Sequence, residues 1–490
     1  MKLNNLMRGI AHEIVVGDAE IDIKQLTSDS REVKEGMLFI ALRGLVTDGH
    51  SFIPMAIEKG AVAILAEEIP EERVEGVTYI RMEHTDMAIG EVAANFYDHP
   101  SEKLKLIGVT GTNGKTTIAT LLYKLFTELG HKSGLISTVC TIIGEETIPS
   151  KLTTPDALTL QKYLYKMVQA ECKYAFMEVS SHAVHQHRIK GAKYSGGIFT
   201  NLTRDHLDYH GTFLNYLHAK QGFFDSLPKT SFALTNIDET NGIVMVQNTK
   251  AKVYTYGLKR DADFKGKILE LHLDGTDMLF NEKEVYTRLV GSFNAYNMLA
   301  IYGAACLLGE SEEEVLRVLS QLHSVDGRFQ TVTSPRGYVV VIDYAHTPDA
   351  LENVLSTIDE LQKSHGGRVI AVVGAGGNRD KGKRPIMAAT SAKLADIVIL
   401  TSDNPRNEAP EEIIEDMAEG LNEEMAKRTL KIVQRREAIR TACTMAMPSD
   451  VILIAGKGHE NYQEINGVRH HFSDLEEVEK IIEAEKGGNK

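Results

Sequence analysis

Short, nearly uninterrupted apolar runs recur along the chain, each followed by a turn rich in Gly or Asp and then by a stretch with helical spacing. That alternation predicts parallel sheets joined by crossover helices. Early on the pieces are small: a strand over Leu38–Leu42, a helical stretch over Ile53–Lys59 and a strand over Ala61–Ala66. The pattern stops near Tyr97-Asp98-His99-Pro100-Ser101, and a strand over Leu104–Val109 opens a second unit. This unit continues through Tyr174–Val179, Gly197–Thr200 and Phe232–Thr235. A third unit begins near residue 330, with strands over Tyr338–Ile342, Arg368–Val373, Asp396–Leu400 and Asp450–Ile454. The expectation is a three-domain α/β protein divided into residues 1–98, 99–330 and 331–490, without internal repeats or low-complexity linkers.

Composition narrows the function classes. With 490 residues, 43% hydrophobic and 25% charged, the chain has material for several cores. Asp and Glu outnumber Lys and Arg 68 to 54, a net charge of −14 that repels phosphate backbones, so nucleic acid is not an expected partner. A local basic pocket for a small anion stays compatible with that balance. Cys140, Cys172, Cys306 and Cys443 lie far apart and form no CxxC pair, which argues against structural zinc or a disulfide scaffold and for a reducing cytoplasm. The opening Met-Lys-Leu-Asn-Asn-Leu-Met-Arg carries no sustained apolar stretch, so no signal peptide is expected. No apolar run approaches the ~18 residues needed to span a bilayer.

The strongest local signal is Gly108-Val-Thr-Gly-Thr-Asn-Gly-Lys-Thr-Thr117, between an apolar strand and a helical run ending near Gly130. Glycines let backbone N–H groups turn towards phosphates, a helix N-terminus adds partial positive charge, and Lys115 can neutralise terminal phosphate oxygens. Thr116 stands where a hydroxyl ligand for Mg²⁺ is expected. The spacing departs from the standard phosphate loop, because Val109 occupies the position of its first glycine. Two polar loops end later strands: Glu178-Val-Ser180-Ser181-His182, and Asn201-Leu-Thr-Arg-Asp205-His206-Leu-Asp208-Tyr-His210-Gly211. Both should emerge at the carboxyl edge of the sheet that carries the phosphate loop, where hard oxygens and an imidazole suit Mg²⁺. Lys220 falls within a helical apolar stripe formed by Phe213, Tyr216, Leu217, Phe223, Phe224 and Leu227. A buried ammonium is costly unless neutralised or paired, and pattern alone leaves open a snorkelling lysine with its head in water. A plain Gly-rich turn, or a non-catalytic nucleotide-binding module, also remains open on these residues.

Thr110-Gly111-Thr112-Asn113-Gly114-Lys115-Thr116-Thr117 resembles the nucleotide loop of the Mur ligases and the related folylpolyglutamate synthases, ATP-dependent enzymes that join a carboxylate to an amine. The resemblance implies a P-loop-type central sheet, a small N-terminal UDP-binding domain and a Rossmann-like C-terminal domain. It implies that ATP is held by Gly111 to Thr117, by Asn294 and Asn297, by Arg328 reaching across a domain gap, and by Asp343. It further implies catalytic roles for Lys115, Glu178, His206 and Lys220, with Lys220 carbamylated by CO₂ and holding Mg²⁺ alongside Thr116, Glu178 and His206.

Other segments carry the same resemblance. Thr27-Ser28-Asp29-Ser30-Arg31 resembles a uridine-binding turn and points to Ser28 and Ser30. Thr153, Thr154, Ser180, Gln186 and Arg188 match positions that hold a UDP-N-acetylmuramoyl-dipeptide, with Leu152 standing where many relatives carry Asn. In the third unit, Asp403-Asn404-Pro405-Arg406 and Gly456-Lys-Gly-His-Glu460, with Arg379, resemble the branch that adds meso-diaminopimelate. There Arg406 implies a clamp on the distal carboxylate that L-lysine lacks. Four loops at four strand ends, carrying both cations and anions, suit a zwitterionic amino acid by their chemistry alone. The nearer alternatives are another Mur ligase or a folylpolyglutamate synthase. A monomeric cytoplasmic enzyme of peptidoglycan synthesis is the expectation, with no membrane insertion.

Overall fold

The computed structural model describes residues 1–44, 47–272 and 274–487. Its three main sheets are built from successive stretches of chain. The first has five strands in the spatial order Glu13–Val16, Thr78–Arg81, Ala61–Ala66, Met37–Ile40, Gln25–Thr27, parallel except at the Glu13–Val16 edge. The last three residues of the chain lie outside the described residues.

The central sheet has eleven strands. Seven run parallel in the order Phe264–His272, Lys252–Gly257, Phe232–Asn236, Gly196–Phe199, Lys105–Thr110, Tyr174–Glu178, Ser133–Ile136. The last five of these strands are buried nearly throughout, as expected when helices cover both faces of a parallel sheet. The chain crosses to opposite sides of Lys105–Thr110, so its carboxyl end is a topological switch point. Register sets the flanking loops level with it: Glu178 pairs with Val109, and Phe199 with Thr110.

The sheet also carries antiparallel edges that the apolar-run pattern does not anticipate. Phe264–His272, Gly275–Phe280 and Lys283–Thr287 form a meander on one edge, and Cys140–Ile143 with Glu146–Pro149 a hairpin on the other. Their burial is partial, so their sequence mixes polar and apolar positions instead of showing a continuous apolar run.

The third sheet has the order Gln330–Thr333, Val339–Asp343, Val451–Ala455, Val369–Ala375, Ile397–Ser402, Thr429–Lys431, parallel beyond its first strand. The expected strands are thus present, with edges displaced by one or two residues. The loops after four adjacent strands meet at one rim. A two-stranded hairpin, Tyr462–Ile465 with Val468–His471, stands beside that rim.

One buried ion pair fixes the rim from below. Arg435 and Asp474 have no exposed side-chain surface, and the guanidinium donates from Nε and Nη2 to the two carboxylate oxygens, each at 2.7 Å. Nη2 also donates to Ala455 O at 2.9 Å, tying the helices Arg435–Met445 and Asp474–Gly487 to the strand end before Gly456. Removing one partner of such a pair typically costs about 3–5 kcal/mol. Asp474→Ala should therefore lower the stability of the third unit by that order, read as faster amide exchange in Val451–Ala455 under native conditions. Unchanged protection would show the pair to be dispensable.

Candidate active site

Lys105–Thr110 delivers the chain to the switch point, and the helix Lys115–Glu128 begins there with Gly114 as its cap at φ 87°. Only glycine adopts this backbone freely, and a Cβ at Gly114 would stand 2.6 Å from Asn297 Oδ1. The turn aims the helix's free N–H groups outward, as anion recognition requires. Lys115 Nζ curls back to donate to Gly111 O at 2.9 Å and Thr112 O at 2.7 Å.

Lys220 reaches the same carbonyl from the helix Phe213–Asp225, donating to Gly111 O at 2.7 Å and lying 4.8 Å over the Tyr216 ring. Its relative exposure is 1%, which overturns the snorkelling reading: Tyr216, Phe223 and Phe224 are buried with it, so its head points into the fold. Burial, then the charge of Lys115, holds Lys220 well below the usual lysine range, with Asp205 opposing. Burial likewise pushes Lys115 down against the pull of Glu178 and Asp205.

Glu178 is fully buried and accepts from Thr138 N at 2.6 Å and Thr138 Oγ1 at 3.1 Å. His206 adopts the left-handed region at φ 53°, with Nε2 3.3 Å from Asp205 Oδ2 and its ring centroid 4.9 Å from that of His182. Burial pushes the His206 imidazole down to about 3 against the opposing pull of Asp205, with His182, Lys115 and Lys220 adding to the effect, which favours a free lone pair on the ring. Thr116, Glu178, His206, Lys115 and Lys220 all line one cavity of about 780 Å³. A carboxylate, a hydroxyl and a neutral imidazole beside a phosphate loop fit a hard divalent cation that takes its remaining oxygens from phosphate and water. Among the described residues the one compact group of three His and carboxylate side chains lies elsewhere, in the first unit: Glu67, His84 and Asp86. There Glu67 already accepts from Thr85 N at 3.1 Å and Thr85 Oγ1 at 3.3 Å.

Three side-chain hydrogen bonds tie the phosphate loop and the loop after Gly196–Phe199 to Arg328, at the boundary between the second and third units, and to Asp349 of the third. Arg328 Nη2 donates to Thr116 Oγ1 at 3.1 Å, while Asp349 Oδ2 accepts from Asn113 Nδ2 at 2.8 Å and Thr203 Oγ1 at 3.2 Å. Asp343 lines the cavity and accepts from Phe329 N and Ala345 N, each at 2.7 Å, so it fixes the loop that carries Arg328 against its own loop. Asn297 lines the cavity; Asn294 does not, and instead supports Asn297 by accepting from its Nδ2 at 3.1 Å.

Thr153, Thr154, Ser180 and Arg188 form one wall, with Leu152 exposed at its mouth. Thr154 Oγ1 donates to Glu178 O at 2.8 Å, and Arg188 donates to Thr154 O at 3.1 Å and to Gln186. Gln186 sits behind this wall, donating to Tyr209 OH at 2.9 Å. Ser28 and Ser30 do not line the cavity; they follow the strand Gln25–Thr27 in the first unit, in a turn closed by the Asp29–Arg31 pair at 2.7 Å.

At the opposite end stand Arg379, Asp403, Asn404, Arg406, Gly456 and Glu460, with Pro405 beside them but outside the lining. Asn404 Nδ2 donates to Glu460 Oε2 at 2.8 Å, and buried Lys457 donates to the same oxygen at 3.1 Å. Asp403 Oδ1 is buried without a hydrogen-bond partner, 3.6 Å from Lys457 Nζ, an acceptor suited to a ligand's ammonium. Sequence reading passed over Thr138, which orients Glu178, and gave Asp349 no role of its own. The one signal for Asp349 is its place just after the Thr347–Pro348 start of a helix.

Two lysines sharing one carbonyl make Lys220 a burden on the native state. Its depressed proton affinity means the unfolded chain binds more protons, so this contribution grows less unfavourable as pH rises towards the ordinary lysine value. Lys220→Met should stabilise the protein by about 1–2 kcal/mol near neutrality, a gain that shrinks as pH rises. Calorimetric unfolding of both proteins at several pH values checks this; a destabilised variant would mean that the ammonium is well compensated.

Residues 22–97 match the family described as the Mur ligase family catalytic domain, 109–305 the Mur ligase middle domain, and 327–458 the Mur ligase glutamate ligase domain. The chain is 57% identical over 482 residues to the UDP-N-acetylmuramoyl-L-alanyl-D-glutamate–2,6-diaminopimelate ligase of Phocaeicola vulgatus, covering 98% of this chain and 99% of that one. It is 42% identical to the ligase of the same name from Clostridioides difficile, over 98% and 99%. A solved structure of a ligase of that name superposes with a TM-score of 0.70 at 34% identity, covering 99% of each chain. The fold alone is shared with a MurF ligase from Thermotoga maritima in complex with ADP, at a TM-score of 0.63 and 21% identity over 95% and 98%. With a matching phosphate loop, three matching units and full-length relatives, this chain belongs to the Mur ligase family.

Proposed function

We propose that this protein is an ATP-dependent ligase that joins meso-diaminopimelate to the D-glutamyl carboxylate of UDP-N-acetylmuramoyl-L-alanyl-D-glutamate, as a cytoplasmic monomer in peptidoglycan precursor synthesis. The observation that carries this reading is the arrangement of one cavity, with a phosphate loop at its centre, a substrate wall on one side and the Asp403–Arg406 loop on the other.

ATP lies between the second and third units, its phosphates on the N–H groups of Gly111 to Thr117 and against Lys115, with Arg328 reaching in from the boundary between the two units. Ser28 and Ser30 hold the uridine end of the other substrate, and Thr153, Thr154, Ser180 and Arg188 its peptide end. The D-glutamyl γ-carboxylate attacks the γ-phosphorus, forming an acyl phosphate and releasing ADP. Lys115 and Arg328 offset the negative charge that gathers on the transferring group. The free amine of diaminopimelate then adds to the acyl carbon, loses its proton, and phosphate leaves from the tetrahedral intermediate. Asp403 and Glu460 orient the ammonium of this amino acid, and Arg379 and Arg406 its carboxylates.

Thr116, Glu178, His206 and a carbamylated Lys220 would hold Mg²⁺, which when bound neutralises phosphate charge. Carbamylation needs an unprotonated amine: neutral Lys220 Nζ adds to CO₂ and releases one proton, placing a carbamate anion where the neutral amine stood. The same step relieves its repulsion with Lys115.

Arg406→Ala should lower kcat/KM for meso-diaminopimelate by roughly 30-fold or more, since losing a charge-assisted pair typically costs about 2–5 kcal/mol. L-lysine, which lacks the distal carboxylate, should lose little, so discrimination shrinks. ADP release with the UDP-dipeptide and each amine, in wild type and variant, tests the reading. A wild type that prefers lysine, or a variant that loses both amines equally, would contradict it.

A further inference from the structure

Behind Arg406 lies an ion pair that does not line the cavity. Arg384, with 1% of its side chain exposed, forks onto Glu408: Nη1 donates to Oε2 at 2.9 Å and Nη2 to Oε1 at 3.0 Å. Nη1 also donates to Asp416 at 2.7 Å and Nη2 to Gly376 O at 3.2 Å. Glu408 accepts in addition from Asn378 N, and Lys381 Nζ stands 3.2 Å away. One carboxylate therefore joins the loop after Val369–Ala375, the helix Lys383–Leu394 and the loop after Ile397–Ser402 that carries Arg406. Arg384 above all holds the Glu408 carboxyl down at about 2, so it stays ionised at working pH.

The two loops are interlocked. Gly377 N donates to Asn404 O at 2.9 Å, Arg406 Nη1 to Gly377 O at 2.7 Å, and Asn407 N to Asn378 Oδ1 at 3.1 Å. A Cβ on Gly377 would collide with Pro405 O. Arg406 itself sits in the left-handed region at φ 52°, which side chains other than glycine rarely adopt and which its surroundings must therefore impose. The hairpin grips its backbone on one side, Arg406 N donating to Glu464 O at 3.0 Å and Asn466 N to Arg406 O at 2.7 Å. Glu408, two residues on, anchors the other side.

We propose that Glu408, clamped by Arg384, is the positioning residue that holds Arg406 in place and thereby sets the preference for an amine bearing a distal carboxylate over one without it. This inference rests on the reading of Arg406 given above. Geometry errors of an ångström at a charged clamp are felt in binding of that one substrate, while the phosphate loop, carried by another unit, is untouched.

The test is a double-mutant cycle on Glu408→Gln and Arg406→Ala in the full-length enzyme, with ADP release measured for meso-diaminopimelate and for L-lysine. Glu408→Gln should raise KM for meso-diaminopimelate about tenfold with kcat within about twofold, as loss of uniform binding requires. KM for ATP and for L-lysine should stay near wild type. In the Arg406→Ala background the same substitution should change nothing further. An undiminished loss in that background, or equal losses for both amines, would overturn the proposal. If Arg406→Ala collapses the preference while Glu408→Gln leaves it intact, the proposal alone fails. If Arg406→Ala leaves the preference unchanged, the underlying reading fails and takes the proposal with it. Should Glu408→Gln not fold, Arg384→Lys, which keeps the charge and breaks the fork, carries the same expectations.

Discussion

The carbonyl oxygen of Gly111 accepts hydrogen bonds from two lysine side chains, Lys220, which is buried, and Lys115, which is half-buried at the cavity wall. Like charges this close and this buried repel, and each is driven towards its neutral form. Among the described residues none forms a short-range ion pair with either lysine; Glu178 and Asp205 act from a distance. Negative charge placed beside the two lysines would offset this repulsion. Strain of this kind is expected where binding energy has to be concentrated on a reacting group.

The rest of the architecture brings anions to that point. Parallel strands level the Glu178 and Asn201–His206 loops with the phosphate loop, and the third sheet presents four loops at one rim facing it. Arg328 and Asp349 bridge the two units through Thr116, Asn113 and Thr203. Beside these polar bridges, Val290 and Phe293 pack into the hydrophobic core of the third unit, so the two units also share an apolar contact.

Much of this is legible in the sequence, for physical reasons that differ by region. Strands such as Val369–Ala375 are buried along their whole length and so appear as continuous apolar runs, which is why their positions were recoverable to a residue or two. The outer meander strands Phe264–His272 and Lys283–Thr287 are largely exposed and mix polar with apolar residues, so they leave no such trace. Lys220 stood out because a cation within an apolar stripe is anomalous. Its bond to Gly111 joins residues 109 apart in sequence, which no local pattern encodes. Asn294 was grouped with Asn297 by motif, yet helical geometry turns it inward to support its neighbour. Glu408, Thr138 and Asp349 act through contacts made only on folding, and a single carboxylate or hydroxyl in a polar loop carries no signature of its partner.

The central claim is that the site holds positive charge for an incoming carboxyl group to neutralise, with Lys220 as its first acceptor. Carbon-13 NMR of the protein equilibrated with labelled bicarbonate and ATP tests this most directly. The account predicts a carbamate resonance of one equivalent per chain that disappears in Lys220→Met. Its absence from the native protein at saturating bicarbonate, or its persistence in the variant, would contradict the account.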